Sequence, residues 1–417
     1  MNAVLTSVAR GEITTLDVVR NQRARLEAAH ETTNCVAAWN PEAEDEVADL
    51  DERFEREGAL GPLHGMPITV KDWIDVAGLP CTGGELAHRD RAPVRDATVV
   101  ARLRTAGAIV LAKTTVQVES ELWGPVRNPI DPTRSPGASS SGEAAAVGGG
   151  GSLLGIGSDS GGSLRVPAAW CGVATLKPSA GRVPTTGHFP RVGERMDGRT
   201  IIGPMSTSVR ALGDVLAIVA GPDGVDAGVP PVTLNDRDAV VLEGLRVGWS
   251  VGEGGHAVTP DISGAVMAAA TSLEALGATN VGTIDQRLDE ALDITLRYWK
   301  RASGRLEGWD VEAHLADWDR YRTRMLRAHA EVDVVVMPVT ATPAPLHRPM
   351  ETLDYLFTFP ASLTGAPSVV VPTGTSAGLP VAVQVVAHRW RDDLALRAAA
   401  AIEQQRILPS SRNDSAM

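Results

Sequence analysis

The residues equipped for covalent chemistry fall in three places. Asp159-Ser160-Gly161-Gly162 runs straight into Ser163, Ser139 to Ser141 form an unbroken serine triplet, and Lys71 closes the apolar run Met66 to Val70. A serine hydroxyl attacks a carbonyl only when a base takes its proton, so each serine group needs a partner from elsewhere in the chain. Read alone, the Asp-Ser-Gly-Gly tetrapeptide would make Ser160 the nucleophile of a chymotrypsin-type protease. Such a site needs a histidine base backed by a carboxylate on an all-β frame, and none of the nine histidines stands in a matching motif. The stretch from Gly374 to Gly378 spells a nucleophile elbow, GTSAG. An elbow runs from strand through a sharp turn into helix, whereas Leu379-Pro380 lead into another apolar strand, so a hairpin loop is expected there. The glycines from Gly148 to Gly157 precede no Lys-Ser/Thr and match no dinucleotide fingerprint, which argues against a nucleotide cradle.

A lysine offers a different base. In a low-dielectric site the ammonium loses its preference for the charged form, and the neutral amine then accepts a proton. Only four lysines, Lys71, Lys113, Lys177 and Lys300, stand among thirty-five arginines. Lys71 either snorkels from its strand to the surface or ends in a buried site. The local sequence leaves both open.

The elements that must position these groups alternate between helix and strand. A helix begins about Thr15 with Leu16, Val19 and Leu26 on one face, and Glu42 to Glu57 is an acidic helical stretch with a solvated face. GMPITVKD is a short apolar strand ending at the lysine, and ATVVARLRTAG with AIVLAK reads as helix, glycine cap and strand. This order predicts βαβ layering. The Gly/Ser/Ala run from Ala138 to Gly157 holds Val147, Leu153, Leu154 and Ile156, so it is a closely packed segment rather than a linker. Thr259 as cap, Pro260 in the first turn and Gly277 as stop delimit another helix. VDVVVMP, PSVVVP and LPVAVQVV predict strands of a sheet buried on both faces, followed by a terminal helix from about Asp392.

Three stretches occur together in one order: GPLHGMPITVKDWIDVAGLP around Lys71, RNPIDPTRSPGASSSGEAAAV around Ser139, and GSDSGGSLRVPAAWCGVATLKPSAGRVP around Ser163. With fainter echoes at VDVVVMPVTATPAP and GLPVAVQVVA, the sequence resembles the amidase signature family over nearly its whole length. The resemblance implies an α/β fold, a large central mixed β-sheet covered by helices on both faces, built as a single domain over residues 1–417. It also implies a Ser-cisSer-Lys triad with Ser163 as nucleophile, Ser139 as relay and Lys71 as base. Ser139 is preferred to Ser140 because the family sets relay and nucleophile twenty-four residues apart. The oxyanion hole falls on the backbone N–H groups of Ser160, Gly161 and Gly162 with that of Ser163, and Ser140, Ser158, Asp159 and Arg165 support the triad. By the same analogy the Ala138–Ser139 peptide is cis, Cys171 and Lys177 are structural, and neither metal nor cofactor is expected.

The sequence departs from the family pattern in places. Ala138 and Ser141 replace glycines of the usual serine loop, and Ser141 adds a hydroxyl near the site. Trp73 stands where a smaller polar residue is common, and the segment from Lys113 to Arg127 is shorter than in many relatives. Trp73 and Trp123 are either pocket walls or ordinary packing.

The implied reaction is hydrolysis of a carboxylic amide through a Ser163 acyl-enzyme, giving an acid plus ammonia or an amine. Two alternatives remain within the resemblance: the ammonia-producing component of a tRNA-dependent amidotransferase, and a carbamate, urea or ester hydrolase. The former usually carries glutamine after its SLR-like tripeptide, where Val166 stands here. A net charge of -12 repels phosphate backbones and anionic lipid, so the expected partners are a small-molecule amide and, as is common among relatives, a second copy of the chain, not nucleic acid or membrane. No apolar run approaches the roughly 18 residues of a membrane span and no leader is recognisable, so a cytoplasmic location is expected. Cys35, Cys81 and Cys171 are spaced for neither zinc nor disulfides and read as buried thiols.

Overall fold

The structure, a computed structural model, describes residues 2–57, 61–190, 198–302 and 309–405. Its first third contains α1 (Asn2–Ala9), α2 (Thr15–Thr33), β1 (Val36–Trp39), α3 (Ala43–Glu57), β2 (Pro67–Lys71), α4 (Thr98–Thr105) and β3 (Ile109–Thr114). A small hairpin, β4 (Glu119–Ser120) and β5 (Gly124–Pro125), precedes α5 (Ser141–Gly148), β6 (Leu154–Asp159), α6 (Arg165–Cys171), β7 (Ala174–Lys177), β8 (Ile201–Ser206) and α7 (Val209–Val219). Then come β9 (Arg246–Trp249), α8 (Pro260–Glu274), β10 (Thr279–Thr283), α9 (Leu288–Ala302), α10 (Trp309–Ala328) and β11 (Val334–Pro338). The chain closes with α11 (Phe359–Thr364), β12 (Ser368–Ser376), β13 (Leu379–Ala387) and α12 (Asp392–Gln405).

Eleven of these strands form one mixed sheet in the order β1-β3-β2-β6-β8-β7-β12-β13-β11-β9-β10. The predicted βαβ unit is present: β2 and β3 are parallel neighbours with α4 as their crossover. The central strands are mostly apolar because both faces are covered, whereas the edge strand β10 is largely exposed. Along β11, Val334 and Val336 join one core with Val369 and Val371 of β12, while Val335 and Met337 join another on the opposite face. The first core takes in α4, α7, α8 and α12 through Val99, Leu212, Val266 and Leu396; α9, α10 and α11 close the second through Ile294, Tyr321 and Phe359. Each fully buried Val or Leu contributes about 1.5–3 kcal/mol of transfer free energy, so a two-sided sheet of this size is held chiefly by its alternating side chains.

Local signals read from the sequence operate as expected, with one exception. The Thr14 hydroxyl accepts from Asp17 N at 3.0 Å while the Asp17 carboxylate accepts from Thr14 N, a capping box that starts α2. GTSAG is a hairpin: Ser376 pairs with Leu379, and Ala377 and Gly378 take φ of 48° and 81°, the two positive values a tight hairpin turn needs. Thr259 does occupy the position before α8, yet its buried hydroxyl finds no partner among the described residues. Pro260 in the first turn, with its φ already set, starts that helix instead.

The candidate groups read from the sequence gather at the carboxyl ends of β2 and β6. These strands are parallel neighbours, with Val70 opposite Ile156, so Lys71 and Ser158 emerge side by side. The chain entering α5 carries the serine triplet, its last member opening the helix, and the turn from β6 into α6 carries Ser163. Small residues make this convergence possible: a side chain at Gly155 would occupy the Glu143 carboxylate, and one at Gly157 would meet Ser140 Oγ at 2.9 Å.

Candidate active site

Lys71 is fully buried, not snorkelling. Its Nζ lies 2.8 Å from Ser139 Oγ, 3.1 Å from Ser158 Oγ and 3.3 Å from the Ser158 carbonyl, and it sits 4.4 Å from the centre of the Trp73 ring. Burial brings the amine down from its ordinary value to about 7, with Asp159 and Glu143 opposing the shift. Lys177 is also buried and also falls to about 7, through burial and then the nearby Arg165 charge. A depressed pKa therefore does not single out a base in this protein. The two differ in geometry: among the described residues Lys177 Nζ donates to the Pro178 carbonyl, whereas Lys71 Nζ reaches a serine hydroxyl.

The serine triplet and the turn that carries Ser163 are stitched together by backbone. Ala138–Ser139 is a cis peptide. Gln117, held at φ 67°, donates its N–H to the Ser139 carbonyl at 3.1 Å, and Ser140 N donates to the Ser163 carbonyl at 3.2 Å. Ser163 is half-buried, and its hydroxyl has no hydrogen-bond partner among the described residues. The N–H groups of Gly161 and Ser163 likewise meet no acceptor there. Gly162 corrects the sequence reading: with φ at 119° its N–H is turned onto Asp159 Oδ1 at 2.7 Å and is engaged within the loop.

A known family pattern matches most of the chain. A family model described as Amidase matches residues 17–307 and 283–396. The chain belongs to the amidase signature family. It is 32% identical to an acylamidase from Rhodococcus erythropolis, over 96% of this chain and 94% of that protein. It is 33% identical to the first component (GatA-type) of a glutamyl-tRNA(Gln) amidotransferase from Thermus thermophilus, over 95% of each chain. Among solved structures it is similar to a 6-aminohexanoate cyclic dimer hydrolase complexed with substrate, at a TM-score of 0.83 and 25% identity, over 97% of this chain and 96% of that one. The protein is accordingly an amide hydrolase with the α/β amidase fold.

Around the amidase site the remaining predicted residues take defined places. Asp159 and Arg165 form a fully buried ion pair, with Nε to Oδ2 and Nη2 to Oδ1 both at 3.0 Å. Burial would raise the carboxyl, but the charge and hydrogen bonds of Arg165, with the Gly162 N–H, hold it far below the usual carboxylate range. Leu164 N also donates to Asp159, so one carboxylate fixes the whole turn that presents Ser163. Arg165 reaches onward to the Thr358 carbonyl at 2.8 Å and Ser362 Oγ at 2.7 Å. Ser140 Oγ donates to the Ser158 carbonyl at 3.2 Å. The extra hydroxyl of Ser141 is turned back onto the Gly137 carbonyl at 2.5 Å and adds nothing to the site. Trp73 covers Lys71, while Trp123 makes none of these contacts; its carbonyl accepts from Asn34. Lys113 is structural, buried 3.6 Å from Asp72. Among the described residues no group of three or more acidic, histidine or cysteine side chains is arranged to hold a metal ion, and no helix is long and apolar enough to cross a membrane.

Several residues at the amidase site escaped the sequence reading. Glu143 lies beneath Lys71, its carboxylate taken by the hydroxyls of Thr69 and Thr114, and burial lifts it to about 7. A lone glutamate in the small-residue run SGEAAAVG was the available signal. Tyr355 and Thr358 clamp the serine loop and the nucleophile turn through the carbonyls of Ala138 and Gly161, at 3.0 and 2.8 Å. The Arg199 side chain donates to the Ser160 carbonyl at 2.8 Å, and His188 approaches Ser158 Oγ at 3.0 Å. Nothing local marks these four, which lie 28 or more residues beyond Ser160.

Proposed function

We propose that the amidase acts through Ser163 as nucleophile, Ser139 as proton relay and Lys71 as base. The observation that carries this reading is the buried 2.8 Å contact between Lys71 Nζ and Ser139 Oγ. The neutral amine accepts the Ser139 proton as Ser139 takes that of Ser163, and Ser163 Oγ bonds to the substrate carbonyl carbon. The open Ser163 hydroxyl closes onto Ser139 when substrate arrives, since catalytic hydrogen bonds tighten in the bound complex. The oxyanion is received by the N–H groups of Gly161 and Ser163, held in place by Ser160 and Gly162 on either side. Collapse of the tetrahedral species breaks the C–N bond as Ser139 returns a proton to the leaving nitrogen. Water then releases the acid and restores Ser163.

The substrate is a small-molecule amide, hydrolysed by residues 1–417 acting as one catalytic domain without a partner of another kind. Val166 supports this over amidotransferase work: it is buried among Ala144, Ala169 and Trp170, an apolar contact where the amidotransferase component usually carries glutamine. The three cysteines are buried free thiols, in keeping with a reducing cytoplasm, where we place the enzyme. The test is product release from primary amides, anilides and carbamates by the purified chain alone. Release that vanishes in Ser163→Ala is the expected result, and an acylating probe should label Ser160→Ala but not Ser163→Ala. Labelling of Ser163→Ala, or turnover only with added partner proteins, refutes the reading.

A further inference from the structure

Ser158 Oγ lies between two nitrogens, Lys71 Nζ at 3.1 Å and His188 Nε2 at 3.0 Å. The other ring nitrogen of the buried His188, Nδ1, is 3.1 Å from the Pro190 carbonyl. A carbonyl oxygen only accepts, so Nδ1 must donate, and in the neutral form of the ring Nε2 is then left as an acceptor. The Ser158 hydroxyl must then donate to Nε2 and turn its lone pairs toward Lys71.

This fixes the proton order around the lysine. A neutral amine has two N–H groups and one lone pair. The carbonyl and hydroxyl oxygens of Ser158 take the two N–H groups, which leaves the lone pair for the Ser139 hydroxyl at 2.8 Å. When the proton arrives, three ammonium N–H groups meet the same three oxygens and nothing has to rotate.

We propose that His188 is a positioning residue for amide hydrolysis, holding Ser158 Oγ as an acceptor so that the lone pair of Lys71 faces Ser139. The inference rests on Lys71 being the base. Without His188 the Ser158 hydroxyl is free to turn and donate into that lone pair, in competition with Ser139. Asp159 from β6 and Glu143 from α5, the charged groups that bear on Lys71, are unaffected by the exchange. Trp73, which covers the lysine and stands edge-on to the His188 ring at 6.1 Å, also remains.

His188→Phe is expected to lower kcat about tenfold with KM unchanged, a fraction of what general acid–base catalysis contributes. His188→Gln, whose amide oxygen can accept from Ser158, should recover most of the loss. In a Ser158→Ala background, His188→Phe should add nothing, because its effect passes through the missing hydroxyl. In protein labelled with 13Cε-lysine, Lys71 should titrate at lower pH in His188→Phe than in wild type, since its ammonium has lost an enforced acceptor. Equal kcat losses in both backgrounds, a loss confined to KM, or an unshifted Lys71 titration overturns the proposal. Failure of the base assignment is read separately, as undiminished turnover by Lys71→Ala.

Discussion

If Lys71 is the base, the rate must follow its neutral form. Burial brings this amine from its ordinary 10.5 to about 7, a difference worth about 5 kcal/mol against the ammonium. At pH 7 about half of such an amine is neutral, compared with about 3 in 10,000 of an exposed lysine, so burial raises the population of working base roughly 1,000-fold. For a neutral amide substrate, kcat/KM should rise about tenfold per pH unit below pH 7 and level off above it, which leaves about 1% of the plateau at pH 5. The assay is initial product release between pH 5 and 9 at constant ionic strength, with folding checked at each end. A level profile between pH 5 and 8 refutes the reasoning. So does a limb centred near pH 10, the value of a solvated lysine.

Two predictions concern stability. Lys71→Met should abolish turnover yet raise unfolding free energy at pH 6 by about 1–3 kcal/mol, less than the desolvation cost because Ser139 and Ser158 lose a donor. The folded lysine titrates below its unfolded value, so between about 7 and 10.5 the unfolded wild-type chain binds the extra proton and wild-type stability climbs with pH. The mutant's advantage should therefore shrink over that window in urea titrations, and a constant difference contradicts it. Asp159→Asn strips the carboxylate from the buried Arg165 and should cost about 3–5 kcal/mol by urea unfolding, together with kcat. An unchanged midpoint would show that Arg165 is adequately held by Thr358, Ser362 and Gln384.

Much of the framework was legible along the chain because it depends on short-range rules. The near-continuous apolar runs VDVVVMP, PSVVVP and LPVAVQVV announced a sheet covered on both faces, and β11, β13 and the first five residues of β12 are buried accordingly. The turn chemistry of GTSAG excluded a nucleophile elbow, as the hairpin at Ala377-Gly378 bears out. Thr259 misled because a cap residue's identity does not dictate where its hydroxyl points.

The candidate residues and their family are written in the chain itself: three motifs in one order mark Lys71, Ser139 and Ser163 as the proposed triad. Which of them work together, and in what environment, comes only from folding. Lys71 and Lys177 are both buried lysines lowered to about 7, and only the parallel pairing of β2 with β6 brings one of them to a serine hydroxyl. Gly162 gives its N–H to Asp159, Glu143 lies beneath the lysine and His188 arrives from thirty residues beyond Ser158. Burial and hydrogen-bond direction arise from the convergence of distant segments, and no local pattern of residues encodes them.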